Sequence, residues 1–329
     1  MMNHDLDRAV QVIEKAQSFL LTCHVSPDAD ALGSVIAMGL ALEGLGKKVQ
    51  WYNQDEVSSS LQFLPGVNRF TTKLDFNKHY DVVITGDSGE LSRIGKAFQD
   101  FKNYKHLINV DHHLTNTQFG TVNVIDVNAP STGSVMLELI EKLGAEITPQ
   151  IATAVYVTIV TDTGSFQYRN TTQEAFRVSE ELIAKGVSPA EVAEELYFSF
   201  PAEKLFLLQR VLKTLEFSED RKYASIVLKY QDIKELNVER DVAEDFIDHP
   251  RSVKSVKVAA YFKEIGENKY KLSLRSKEGV NVSTVCGYFG GGGHFSASGC
   301  VINGSLEEVK RQVYEQSAKA ILQAEKNTK

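Results

Sequence analysis

The 329-residue chain is 43% hydrophobic and 24% charged, which supplies apolar side chains for more than one core and excludes a disordered protein. Its 36 basic and 43 acidic residues leave a net charge of −7, which argues against an affinity built by neutralising the many phosphates of a long nucleic acid. The opening MMNHDLDRAVQ lacks the apolar stretch of a signal peptide, and no later apolar run is long enough to span a bilayer, so a cytoplasmic protein without a membrane partner is expected.

In chain order, Ser18 to Cys23 (SFLLTC) is the first predicted strand and runs into His24. Ala31 to Leu45 carries apolar residues at helical spacing and stops at Gly46, as a glycine-capped helix does. Val49 to Tyr52 reads as the next strand, Tyr80 to Thr85 (YDVVIT) runs into Asp87, and His106 to Val110 (HLINV) runs into Asp111. Short apolar runs that end at polar residues and alternate with helical segments are the grammar of a parallel α/β sheet. Thr148 and Pro149 then read as the N-cap and first position of a helix. In it Ile151, Ala154, Val155, Thr158 and Ile159 recur at helical spacing, and Asp162 falls at its C-terminal end.

From Ser188 to Phe217 the pattern is helical, started by Ser188 and Pro189 and broken at Pro201. Beyond it, KYASIVLKY, VKSVKVAAYFKEI and KYKLSLRS alternate like half-buried strands, and residues 305–325 close the chain as a helix. The expected fold class is α/β: an N-terminal doubly wound, mainly parallel sheet domain over residues 1–190, a helical connector over 191–216, and a smaller mixed-sheet α/β domain over 217–329. Charge is uneven along this plan, with 18 basic and 26 acidic residues in 1–215 against 18 and 17 in 216–329. Arg251 to Lys277 holds eight Lys or Arg against only Glu264 and Glu267, either a solvated strand face or an anion-attracting surface.

Open α/β sheets bind ligands beyond the carboxyl ends of their strands, where residues distant in sequence meet. The densest cluster there is His24, Asp28 and Asp30 in HVSPDAD. Alone, Asp30 ahead of Ala31 fits a helix N-cap. Capping does not explain why Asp87 (ITGDSGE), Asp111, His112 and His113 (NVDHH) and Asp162 (VTDTG) repeat the pattern. Four carboxylates crowded into one crevice repel one another unless cations sit between them, so their convergence predicts bound metal. Cys23, Cys286 and Cys300 are an odd number at unrelated spacings and suggest neither a disulfide framework nor a thiolate zinc site. Hard carboxylate oxygens with imidazoles suit manganese, and less decisively magnesium, cobalt or iron. Two such cations about 3.5 to 4 Å apart activate water and neutralise a phosphoryl group, which makes phosphoester hydrolysis the natural use.

HVSPDAD, the aspartate of ITGDSGE, VDHH and VTDTGSF resemble, in order, the four motifs of the DHH phosphoesterase superfamily. GGGGH at Gly290 to His294 resembles the associated DHHA1 substrate-binding domain. At this length the likeness is to the group of bifunctional oligoribonucleases and pAp phosphatases. The resemblance implies that His24 and Asp28 hold one metal, that Asp30 and His112 hold the other, and that Asp87 and Asp162 bridge or share both. It implies that His113 faces the scissile phosphate and Asp111 orients the histidines. It also implies that Arg275 and Ser276, with Gly291, Gly292, Gly293 and His294, bind the substrate. Ala29 replaces a glycine common in the first motif without touching a ligand.

The substrates implied are very short RNAs, dinucleotides included, and pAp, with no long nucleic acid; the oligomeric state is open and a homodimer is compatible. A glycine run is also a common flexible turn, and here no Gly-Lys-Ser or Gly-Lys-Thr makes it a nucleotide P-loop. Arg275 also reads as a surface strand arginine. His4, His79, His106 and His249 match no ligand spacing, and Tyr197, Phe198 and Phe200 are expected to pack the connector rather than stack bases. The rival activities are cleavage of cyclic dinucleotides or their linear products and, with less support, of pyrophosphate. A nucleotide-binding sensor without catalysis is the alternative from another class.

Overall fold

A first helix, α1 (Met2–Lys15), leads into β1 (Ser18–Cys23), whose side chains are buried from Phe19 onward on both faces, as befits a parallel strand covered on both sides. The structure, a computed structural model, describes residues 2–238, 240–277, 279–293 and 295–327. It divides into two units, Met1–Ser199 and Phe200–Lys329.

In the first unit β1 is followed by α2 (Ala29–Gly44), β2 (Lys48–Trp51), β3 (Tyr80–Gly86), α3 (Lys96–Asp100), β4 (Tyr104–Asp111), β5 (Val122–Ile125), α4 (Thr132–Lys142), α5 (Pro149–Asp162), α6 (Gln173–Ala184) and α7 (Pro189–Tyr197). The five strands lie in the order β2-β1-β3-β4-β5, every pairing parallel. The chain steps outward from β1 to β2 and then crosses back to β3, so the gap between β1 and β3 is the point where the winding reverses and where such sheets bind ligands. His24 follows β1 and Asp87 follows β3, one on each side of that gap.

Alternation along the strands builds two cores. Phe19, Leu21, Val82, Ile84, Ile108 and Val110 pack under α2, α4 and α5, while Leu20, Val83 and Leu107 face Tyr52, Phe98 and Phe101 on the other side. Helices α2, α4 and α5 close tightly because glycines stand at their crossings. A Cβ at Gly133 would lie 2.0 Å from Thr158 Oγ1, and one at Gly33 would lie 2.5 Å from Thr158 Cγ2.

The second unit runs α8 (Ala202–Leu212), β6 (Glu216–Phe217), β7 (Tyr223–Leu228), α9 (Tyr230–Leu236), α10 (Asp248–Ser252), β8 (Val258–Gly266), β9 (Lys269–Ser276), α11 (Ser283–Tyr288), β10 (Gly292–Gly293), β11 (Ala297–Asn303) and α12 (Leu306–Asn327). Its sheet is mixed, in the order β10-β11-β9-β8-β7-β6, with β7 and β8 parallel and the other neighbours antiparallel. Among the described residues no helix is long and apolar enough to cross a membrane.

The structure departs from the sequence reading in three places. The helical pattern read to Phe217 stops at Leu212, because the Thr214 hydroxyl donates to Val211 O at 2.7 Å and accepts from Val227 N at 2.8 Å, which turns the chain into β6. The segment read as a connector is divided, with α7 in the first unit and α8 in the second. Phe198 does not pack it, for it is 78% exposed, and Tyr197 and Phe200 are also exposed.

Candidate metal centre

The ends of β1, β3 and β4 and the C-terminal end of α5 bring seven of the expected side chains together. Ligand-capable atoms of His24, Asp28 and Asp87 form one close group, those of Asp30, His112 and Asp162 a second, and those of Asp87, His112 and His113 a third. Within them, His24 Nε2 stands 3.7 Å from Asp28 Oδ1 and 3.4 Å from Asp87 Oδ2. His112 Nε2 stands 3.7 Å from Asp30 Oδ2, 3.9 Å from Asp87 Oδ1 and 3.7 Å from Asp162 Oδ2. Most of these spacings are too long for hydrogen bonds. Ligands about 2.1 Å from one ion stand about 3.0 to 3.6 Å apart at angles between 90° and 120°, so the 3.4 to 3.9 Å seen here would need to close by only a few tenths of an ångström to share one. The two oxygens of Asp87 face different groups, Oδ2 toward His24 and Oδ1 toward His112. Asp162 is grouped with Asp30 and His112.

Local structure fixes each ligand. Asp87 has a left-handed backbone, φ 55, which turns the chain sharply off β3. The histidine tautomers follow from their partners. His24 Nδ1 meets Val25 O at 2.9 Å and His112 Nδ1 meets Ala129 O at 3.2 Å. A carbonyl can only accept, so each Nδ1 carries a proton and Nε2, on the carboxylate side, is the nitrogen left to give a lone pair to an ion. Ser26, also left-handed at φ 52, is tied by its amide to Asp55 Oδ2 at 2.7 Å, which anchors the HVSPDAD loop. The N-cap of α2 is Asp28, whose side chain accepts from Ala31 N at 3.0 Å, and not Asp30. Capping and membership of the His24 group are therefore compatible in one residue.

The electrostatics describe an acidic pocket in want of positive charge. Asp30, Asp87, His24 and His112 are all buried. Burial, and after it Asp87, holds Asp30 well above the usual carboxylate range, and burial drives Asp162 up to about 7 although His112 pulls the other way. Burial resists the charge on His112, but Asp30, Asp162 and Asp87 outweigh it and push the imidazole up to about 9. His24 is raised in the same way by Asp28 and Asp87. Carboxylates reluctant to ionise beside imidazoles reluctant to lose their protons are what a cation would relieve, and the oxygen and imidazole donors fit hard divalent ions.

Asp111 lies outside the ligand groups, fully buried. Its Oδ1 accepts from His113 Nδ1 at 2.7 Å and from His112 N at 2.9 Å, and its Oδ2 accepts from Asn116 Nδ2 at 2.5 Å. Burial alone would raise its pKa, but His113 and Asn116 bring it below the ordinary value.

Several supporting residues escaped the sequence reading. The amides of Thr132 and Gly133, at the start of α4, donate to Asp30 Oδ2 and Oδ1 at 2.9 and 3.0 Å, and the Thr132 hydroxyl donates to Asp87 Oδ1 at 2.8 Å. Asn170 Nδ2 donates to Asp162 Oδ2 at 3.1 Å. A signal for the first existed, since Ser131 caps α4 by accepting from Ser134 N ahead of Val135, Met136, Leu139 and Ile140 at helical spacing.

In the second unit the substrate-binding candidates stand on the sheet. Arg275, on β9, is half-buried between Ala259 of β8 and Ala297 of β11. Ser276 is buried and donates its hydroxyl to Val280 O at 2.6 Å. The glycine run is not a free loop, because Gly292 and Gly293 pair as β10 with Gly299 and Ser298. Packing demands two of these glycines. A Cβ at Gly291 would lie 2.3 Å from Cys300 Cβ, and Gly293, at φ 138, would press one to 2.7 Å from Ala297 O. His294 lies outside the described residues. Part of the basic stretch is spoken for, with Lys257 paired to Glu325 at 3.0 Å, Arg251 to Asp248 at 3.3 Å and Lys277 Nζ on Val253 O at 2.7 Å.

Residues 18–159 match the DHH family, N-terminal domain, and residues 222–323 match the DHHA1 domain. The chain is 33% identical over 297 residues to the bifunctional oligoribonuclease and PAP phosphatase NrnA of Thermus thermophilus, covering 90% of this chain and 87% of the relative. It is 25% identical over 301 residues to the NrnA of Bacillus subtilis, covering 89% and 92%. Among solved structures, an exopolyphosphatase-related protein from Bacteroides fragilis superposes with a TM-score of 0.89 at 25% identity over 98% of each chain.

Proposed function

This chain belongs to the DHH phosphoesterase family, and from that premise we propose that it hydrolyses short oligoribonucleotides, dinucleotides included, to mononucleotides and dephosphorylates pAp to AMP in the cytoplasm. The observation that carries the chemistry is the Asp87 carboxylate, one oxygen turned to the His24 group and the other to the His112 group. That is the arrangement a bridge between two ions requires. The substrate class rests on the NrnA relatives, matched over nearly their whole length.

In this reading His24, Asp28 and Asp87 would hold one divalent cation and Asp30, Asp87, His112 and Asp162 the other, manganese being the ion best suited to the donors. The pair of cations would neutralise a phosphoryl group and acidify water. The protein's own groups do the rest. Asp111 holds His113 by Nδ1 at 2.7 Å, so that the opposite ring nitrogen is the one presented for protonating the leaving oxygen. Thr132 and Gly133 keep Asp30 aimed. The second unit would contribute Arg275 and the glycine strand to substrate binding, whereas Ser276, expected to join them, is buried with its hydroxyl spent on Val280 O.

The test is hydrolysis of a panel by purified protein with manganese: pAp, linear dinucleotides, cyclic dinucleotides, pyrophosphate and a 24-mer RNA. Turnover of pAp and linear dinucleotides ahead of the rest, abolished by chelator, is the expected result. Preference for pyrophosphate or for cyclic dinucleotides would replace the proposal with another, and no hydrolysis at all would leave a binding protein.

A further inference from the structure

Asn116 has no place in the ligand groups, yet its side-chain amide is fully engaged. Gln118 N donates to Asn116 Oδ1 at 2.7 Å, and Asn109 Nδ2 donates to the same oxygen at 3.2 Å. Only the oxygen can accept, so the amide cannot flip, and its Nδ2 is aimed at Asp111 Oδ2 at 2.5 Å and at Ser88 O at 3.2 Å. Asp111 is thereby held at both oxygens, Oδ1 by His113 Nδ1 and the His112 amide, Oδ2 by Asn116. Its carboxylate cannot rotate without breaking one set.

The anchor of this relay bears a penalty. Asn109 is fully buried in β4, and its Oδ1 has no hydrogen-bond partner among the described residues. An orphaned buried acceptor destabilises a fold, and an apolar residue of similar size would avoid it. An asparagine kept there is better explained by what its Nδ2 does than by packing.

We propose that Asn116, seated by Asn109, is a positioning residue that fixes the Asp111 carboxylate and through it the orientation of His113. The inference rests on the role given to His113 above. Its mark is a loss confined to turnover, since neither asparagine touches a ligand or the substrate-binding unit's candidates.

The experiment compares the full chain with N116A, H113A, the double variant and N109L, each assayed on pAp with manganese and each melted. In N116A, kcat should fall about 10- to 100-fold, the range for residues that orient an active group, while KM and the manganese isotherm hold. In the H113A background the further loss should be less than about twofold, because the two act as one unit. N109L should melt no lower than the parent while its kcat falls. A wild-type kcat in N116A, or an equal loss with and without His113, overturns the proposal. Should N116A not fold, N109L decides, and an unchanged kcat there overturns it as well. A parent protein that hydrolyses nothing removes the functional reading instead, which separates the two failures.

Discussion

At the scale of single residues, Asp87 carries the most. A non-glycine residue at φ 55 costs about 1 kcal/mol of backbone strain, and what it obtains is a carboxylate with one oxygen on each ligand group. Asp87→Asn should therefore reduce the manganese stoichiometry below two per chain by titration calorimetry and cut pAp turnover by more than about 100-fold, beyond the effect of residues that merely support a ligand. An intact two-ion isotherm in that variant would refute the bridge. The pH dependence follows from the neighbours. Ligation needs Asp162 ionised and His112 neutral, yet burial raises the first to about 7 and the surrounding carboxylates raise the second to about 9. Protons therefore compete with the ion, so manganese affinity should climb through pH 7 and on toward 9 with net proton release, measurable in buffers of different ionisation enthalpy. Ligand types were legible in the sequence where an apolar run ends on them, as at His24 and Asp87, and at His112 just past Asp111. The hydrogen bonds that aim them were not, since a threonine such as Thr132 is common at any helix start.

At the scale of elements, α4 is the part of the centre the sequence reading passed over, along with the short strand β5 before it. Four residues, VNVI, are too few for alternation to register, and a helix beginning Thr-Gly-Ser opens on poor helix formers. Yet that opening is what the site uses, because the bare amides of the first turn donate to Asp30. Gly133 lets α4 approach α5 until no side chain fits, Thr158 Oγ1 lying 2.0 Å from where a Cβ would stand. Gly133→Ala should destabilise the protein by about 1–3 kcal/mol through overpacking. Because the same shift carries two donors away from Asp30, it should weaken manganese binding as well. A variant that melts lower but binds manganese as the parent does would detach the helix start from the metal centre. The glycine strand teaches a related lesson. GGGG was legible as a place where backbone must come close, but its partner was not, and for Gly291 and Gly293 that partner is β11 of the same sheet.

At the scale of the whole molecule, the parallel sheet and the mixed sheet were both legible, since a continuous apolar run such as SFLLTC and an alternating one such as KYKLSLRS announce different kinds of strand. What the charge distribution then says concerns substrate length. The chain carries −7 overall, and within the basic stretch Lys257, Arg251 and Lys277 already have partners in the fold. Three of that stretch's eight cations are thus engaged within the fold. Each phosphate neutralised along a single strand contributes about −0.7 to the slope of log affinity against log salt. A dinucleotide or pAp gripped at one or two phosphates should therefore show a slope no steeper than about −1.5 in log kcat/KM. A 24-mer engaged only at its end should show nearly the same slope and turn over more slowly. A groove that tracks the strand predicts the opposite, a slope several times steeper for the 24-mer together with faster turnover, so the two salt titrations separate an enzyme of short remnants from a processive nuclease.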